Sequence, residues 1–95
     1  MDPVASFTCE SFRPYVGQRF EVADPSVELV LATTVPKGQG ARDGGAFSVY
    51  FHGPAEPLLP QATYELSHAD AGEFAVFLVP VGRTVDGYEY EAAFS

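Results

Sequence analysis

Apolar and polar residues alternate in short runs along most of this chain, a pattern typical of β-strands with one buried face. Residues 19–22, R-F-E-V, show the alternation, and turn residues such as Asp24-Pro25-Ser26 separate one run from the next. The pattern predicts six strands, over residues 19–23, 27–35, 46–52, 62–68, 74–81 and 88–94. Six short strands with frequent turns are typical of an all-β domain, either a small antiparallel barrel or a sandwich.

The fifth predicted strand differs from the others. Residues 74–81, F-A-V-F-L-V-P-V, contain no charge or hydroxyl, so we expect a strand buried on both faces with Phe77 in the core. Pro80 cannot donate to a strand neighbour and predicts an edge or a bulge. Residues 88–94 alternate aromatic and acidic side chains, which predicts a final strand with one solvated face.

The N-terminal segment is expected to differ from the strands. Residues 1–5 are predicted to be a loose terminus. Residues 6–17 are predicted to form a short helix, because either Thr8 with Ser11 or Ser6 with Glu10 could cap one, and a proline and a glycine limit its length. Phe12 and Tyr15 would then face the core together.

Two loops carry candidate contact residues. Residues 36–45 hold four glycines together with Lys37 and Arg42, and we expect a mobile, solvent-exposed loop. The segment G-P-A-E-P-L-L-P-Q holds three prolines and is expected to be stiff. Within it, Leu58 and Leu59 must either tuck under the sheet or project from it.

Composition narrows the classes of function. The chain has 95 residues, enough for one domain, and a net charge of −8. An acidic chain repels nucleic-acid and anionic-membrane phosphates and favours a basic partner. The single cysteine, Cys9, excludes an internal disulfide, and no secretion signal or membrane span is recognisable. We therefore expect a cytoplasmic protein, or one exported as part of an assembly.

No residue pattern indicates catalysis or metal binding. The histidines are His52 and His68, the nucleophile-elbow sequence is absent, and Cys9 is expected to pack in the short helix. His68 is expected to cap the turn that contains Asp70. We predict no catalytic, cofactor or metal site. Two alternatives stay open: a barrel that binds a small apolar ligand among its aromatic side chains, and an enzyme that uses His52 and His68.

The predicted site is a protein-docking surface. Leu58, Leu59, Tyr88 and Tyr90 are candidate anchors because interfaces favour tyrosine and exposed apolar side chains. Lys37 and Arg42, in the glycine-rich loop, could contact an acidic partner. Edge strands could also pair between copies of the chain and form a homo-oligomer.

Four short segments, taken in their order along the chain, resemble the sequence pattern of a known family. They are F-S-V-Y-F-H-G-P from residue 47, L-P-Q-A-T-Y from 59, F-L-V-P-V-G from 77 and Y-E-A-A-F from 90. Together they resemble a family of small bacterial domains of unknown function that is associated with phage-tail-collar-like proteins. His52 departs from the family's pattern, which often has arginine there. The resemblance implies no activity or catalytic residue. It implies an accessory role, so we expect a non-enzymatic protein-binding or structural module of a tail-like or secreted assembly.

Overall fold

The computed structural model describes residues 8–38 and 45–94, which form one short helix and six strands. The elements are α1 (Cys9–Phe12), followed by a 3₁₀ turn (Arg13–Tyr15), and then β1 (Arg19–Val22), β2 (Val27–Gly38), β3 (Ala46–Pro54), β4 (Ala62–His68), β5 (Gly72–Arg83) and β6 (Gly87–Phe94). The predicted all-β class, with six antiparallel strands and a short N-terminal helix, is confirmed. The predicted loose terminus, residues 1–5, lies outside the described residues.

The strands close into a barrel in the order β1-β2-β3-β6-β5-β4. The closing contact joins β1 to β4, where Glu21 pairs with Ser67 and Val22 with Leu66. Of the two architectures predicted from the sequence, the structure is the barrel and not the sandwich. Each strand has a hydrogen-bonded neighbour on both sides. The barrel formed by the described residues therefore has no edge strand through which copies of the chain could pair in the way we had expected for a homo-oligomer.

Aromatic rings fill the interior of the barrel. Phe47 and Phe94 stack with their centroids 4.6 Å apart, and Phe20 meets Phe51 edge to face at 5.5 Å. Helix α1 adds the side chain of Phe12, whose ring centroid lies 5.8 Å from that of Phe94. The Phe12 ring thereby closes one end of the barrel. The core is therefore built from the inner faces of the strands, from Cys9 and Phe12 of the helix, and from Leu59 in the loop between β3 and β4.

The start of α1 follows the predicted capping pattern. The Thr8 hydroxyl accepts from the backbone N–H of Ser11, and the Ser11 hydroxyl accepts from the backbone N–H of Thr8, which forms a capping box. Phe12 is buried as expected, whereas Tyr15 is half-buried against the core. The helix is thus fixed at its start by hydrogen bonds and at its end by the burial of Phe12.

Strand β5 is buried on one face only, so the expectation of two buried faces was wrong. Phe74, Val76 and Leu78 point into the barrel, while Phe77 is 49% exposed on the outside. A closed barrel offers each strand a single buried face, and no second layer formed by residues 8–38 or 45–94 covers the outside of Phe77. The bulge predicted at Pro80 is confirmed by a shift of the β5–β6 register between Pro80 and Gly82.

Strand β2 is longer than its pattern predicted. It extends to Gly38, so the first three residues of the predicted loop over 36–45 belong to the sheet. Pro36 pairs with Phe47 and Gly38 with Ala46, with a register irregularity between them. Residues 39–44, where the rest of that loop was predicted, lie outside the described residues. No helix in 8–38 or 45–94 has the length and apolar character needed to cross a bilayer.

Candidate functional site

Two of the predicted contact residues are core residues. Leu59 is 0% exposed and Tyr90 is 1% exposed, and the Tyr90 hydroxyl accepts a hydrogen bond of 2.9 Å from the backbone N–H of Leu59. Tyr90 pairs with Phe51 on β3 and with Pro80 on β5, and its side chain points into the barrel. Their proposed role as exposed anchors was therefore wrong, because the proline-rich loop folds inward onto the last strand.

The other predicted contact residues are dispersed. Leu58 is 47% exposed next to its buried neighbour. The Lys37 ammonium lies 5.9 Å from the ring centroid of Tyr50, and the Tyr88 ring, half-buried at the start of β6, lies 5.7 Å from the Arg83 guanidinium. Arg42 lies outside the described residues. The contacts of Lys37 and Tyr88 therefore involve different strands and do not join them in one site.

A different apolar surface runs along the outside of β5. We call it the β5 stripe: Phe77, Val79 and Val81, of which Phe77 is 49% and Val81 46% exposed, while Val79 is partly buried. The intervening inward-facing residue Leu78 is fully buried, so the stripe is the second face of a strand whose first face is in the core. Clustered exposed apolar side chains on one strand are typical of a binding surface.

Acidic side chains on β6 lie next to the β5 stripe. Glu91 pairs with Val79 across the two strands, and Glu89 pairs with Gly82 at the bulge. On the other side, Thr63 of β4 pairs with Phe77 and Glu65 pairs with Ala75. The stripe is thus flanked by carboxylates from both neighbouring strands, a surface that attracts positive charge.

Strand β3 holds the two β6 carboxylates in place. The oxygen Oε2 of Glu91 accepts a 2.6 Å hydrogen bond from the buried Ser48 hydroxyl and a 3.3 Å hydrogen bond from the Tyr50 hydroxyl. His52 Nε2 donates to Oε2 of Glu89 at 2.9 Å. In both glutamates, these hydrogen bonds reach the same carboxylate oxygen, Oε2. The two carboxylates are therefore oriented on the outer face.

The two histidines are engaged separately. Nδ1 of His68 accepts from the backbone N–H groups of Asp70 and Ala71 at 3.0 and 3.1 Å, so Nε2 carries the proton that it donates to Gln18 Oε1 at 2.6 Å. This confirms that His68 caps its turn. The Ser48 hydroxyl donates to a carboxylate and not to a histidine. The contacts of these residues do not include a nucleophile–base pair.

The side chains of Cys9 and Tyr64 make structural contacts. Among residues 8–38 and 45–94, no group of three or more His, Cys, Asp and Glu side chains could hold a metal ion. The Cys9 thiol is buried and donates to the Thr34 hydroxyl at 3.3 Å. Burial, with a smaller contribution from Tyr90, raises the pKa of Tyr64, whose hydroxyl donates to the Pro60 carbonyl at 2.6 Å. These groups hold loops and the helix against the barrel.

The barrel interior holds the protein's own side chains at the positions where a small apolar ligand would lie. Phe20, Phe51 and Tyr90 are each no more than 1% exposed, and Phe20 also contacts Phe74 at 6.0 Å between centroids. An apolar ligand would have to displace these rings. The outer face of β5 and β6 is therefore the stronger candidate site, and no local pattern in residues 74–81 marks it, because every residue of that segment is apolar.

The chain is similar to one family of domains. A family model described as a domain of unknown function, DUF6916, matches residues 7–94. No curated protein and no solved structure matches the chain significantly. The matched residues include every element of the barrel, and the family's description assigns no chemistry to the outer face.

Proposed function

We propose that this chain, which belongs to the DUF6916 family of domains of unknown function, is a non-enzymatic protein-binding module that docks a partner on the outer face of β5 and β6. The partner is a protein with apolar side chains that cover the β5 stripe and basic side chains that meet Glu89 and Glu91. The exposure of Phe77 and Val81 on an outer face, beside two oriented carboxylates, carries this proposal.

The apolar contribution to such docking is substantial. Covering the exposed half of Phe77 removes roughly 100 Å² of apolar surface from water, worth about 2.5 kcal/mol. Val79 and Val81 extend the same surface along the strand. The barrel itself does not need these contacts, because its core lies on the inner face of β5. Their exposure is therefore better explained by binding than by folding.

The negative charges beside the stripe favour a partner with basic side chains. The chain carries a net charge of −8, and Glu89 and Glu91 lie directly beside the stripe. Hydrogen bonds from His52, Ser48 and Tyr50 fix both carboxylates, so less side-chain entropy is lost when a partner's lysine or arginine binds them. Complementary charge of this kind accelerates association and disfavours acidic partners.

We assign the partner to a tail-like or secreted assembly, in line with the sequence resemblance to domains associated with phage-tail-collar-like proteins. A small domain with an exposed apolar and acidic face suits an accessory role in such an assembly. This assignment rests on the resemblance, whereas the docking face rests on geometry. The two parts can therefore be tested separately.

The test is capture from a lysate of the native host, followed by binding between purified proteins. Tagged wild-type protein is compared with a double variant, Phe77→Ser with Val81→Ser, and with a control pair of equally exposed residues elsewhere, Val16→Ser with Leu58→Ser. We expect a stoichiometric basic protein to bind the wild type and the control pair, and the stripe variant to bind it at least about tenfold more weakly.

Equal binding by the stripe variant would place the docking site elsewhere on the barrel. Circular dichroism and thermal unfolding of each variant check that a loss of binding does not come from unfolding. The identity of the captured protein then tests the assembly: a tail-like protein supports the assignment, and a soluble metabolic enzyme contradicts it.

A further inference from the structure

An open groove lies at the end of the barrel where β3 ends and the β5–β6 turn begins. It has a volume of about 660 Å³ and is lined by Glu28, Val30, His52, Gly53, Pro54, Thr84, Val85 and Asp86. Strand β2 forms one wall through Val30, strand β3 contributes His52 to Pro54, and the turn forms the opposite wall. This groove is not part of the β5 stripe.

The groove combines apolar walls with acidic ends. Val30 and Pro54 are exposed, and Val85 at the tip of the turn is 98% exposed, so nothing in residues 8–38 or 45–94 covers it. Both carboxylates among the lining residues, Glu28 and Asp86, are exposed. Arg19 approaches Glu28 with its Nε at 3.7 Å, a solvent-exposed pair that contributes little stability and that another cation can replace.

The groove is continuous with the β5–β6 docking face. His52 lines the groove and also donates to Glu89, which pairs with Gly82 at the end of the stripe. A partner chain that covers the stripe and continues past the bulge reaches this groove next. The hydrogen bond between His52 and Glu89 therefore marks the boundary between the two surfaces.

We infer that this groove binds a short segment of the same partner, one that carries an arginine or lysine beside apolar residues. The aliphatic stem of such a side chain packs on Val30, Pro54 and Val85, and its charged end meets Glu28 and Asp86. The inference rests on the proposed function. A peptide segment fits better than a small ligand, because small-ligand sites bury most of the ligand's surface and this groove is open along its length.

The experiment is an NMR titration of ¹⁵N-labelled protein with three capped tripeptides, Val-Arg-Val, Val-Gln-Val and Val-Glu-Val. We expect Val-Arg-Val to shift the amide signals of Val30, His52, Thr84 and Val85 with a dissociation constant in the range of about 1–10 mM. The double variant Glu28→Gln with Asp86→Ser should weaken this binding by about fivefold or more. A charge-matched control, Glu10→Gln with Glu73→Gln, should leave it unchanged.

Three results would overturn the inference: no shifts at the groove, equal binding of Val-Glu-Val, or equally tight binding of butylguanidinium, which would assign the groove to a small cation. Failure here is distinguishable from failure of the proposed function. If the captured partner is lost from the stripe variant but retained by the groove variant, the docking face stands and the groove segment does not. If the tripeptide binds the groove but no captured partner depends on the β5 stripe, the groove is a binding site and the proposed docking face is wrong.

Discussion

The hydroxyl of Tyr90, in the middle of the last strand, accepts a hydrogen bond of 2.9 Å from the backbone N–H of Leu59 in the proline-rich loop. Both residues are buried, so water cannot replace either partner. A buried N–H left without an acceptor costs about 1–3 kcal/mol. One phenol group therefore holds the loop against the end of the barrel.

This contact predicts the effect of Tyr90→Phe, which removes only the acceptor. We expect a loss of about 1–3 kcal/mol in the free energy of unfolding, measured by urea denaturation monitored by circular dichroism. Tyr88→Phe, on the same strand but half-buried, serves as the control and should lose less than about 0.5 kcal/mol. Equal losses would show that the loop is not held by Tyr90.

The adjacent leucines of the loop should respond very differently to truncation. Leu59→Ala leaves a cavity beneath the loop and should cost about 2–5 kcal/mol, because the side chain is fully buried. Leu58→Ala, at a position 47% exposed, should cost less than about 1 kcal/mol. Thermal and urea unfolding of the two variants measure this difference, and similar losses would contradict the inward orientation of Leu59.

Phe77→Ala should hardly change the stability of the barrel. Its ring lies on the outer face, so truncation leaves no cavity, and we expect a loss below about 1 kcal/mol in the free energy of unfolding. Phe51→Ala, which empties a site on the inner face, should cost about 3–5 kcal/mol. A large loss for Phe77→Ala would mean that the outside of β5 is covered in solution, for instance by a second copy of the chain.

Two glycines near the β5–β6 turn provide a matched pair. A Cβ at Gly87 would fall on the carbonyl oxygen of Gly53, and it would lie 2.5 Å from the carbonyl carbon of Pro54 and 2.8 Å from the nitrogen of Ala55. Backbone atoms of β3 and its following turn cannot yield as a side chain can. Gly87→Ala should therefore cost at least about 3 kcal/mol and separate the start of β6 from β3.

Gly82→Ala is the control for this prediction. A Cβ at Gly82 meets no atom within 4 Å, and Gly82 does not have a positive φ. We expect a change within about 1 kcal/mol, and a small gain where alanine restricts the unfolded chain. Urea unfolding compares the two variants. If both substitutions are tolerated, the close approach of β6 to β3 is wrong.

Period-two alternation was sufficient to locate the strands. It predicted 62–68 to the residue, and the two apolar residues of the alternating run R-F-E-V, Phe20 and Val22, are both buried. A short helix within residues 6–17 was likewise predicted, and Thr8 with Ser11, one of the two candidate capping pairs, forms its cap. These features depend on residues that are close together in the sequence, so they can be predicted from the sequence alone.

The candidate site was not predictable in the same way. Whether a wholly apolar strand such as Phe74–Val81 has one buried face or two depends on what lies outside it, and that is a property of the closed sheet. The roles of Leu59 and Tyr90 depend on a contact between residues 31 positions apart. No local pattern indicates which of two adjacent leucines faces inward.

The contact of Phe12 with Phe94, 5.8 Å between ring centroids, brings the two ends of the described chain to the same mouth of the barrel. The β5–β6 turn lies at the far end of β6. Helix α1 and the C-terminal end of β6 therefore lie on one side of the barrel. The groove beside Val85 lies at the other end, so a partner that approaches the groove does not meet helix α1 or the end of β6.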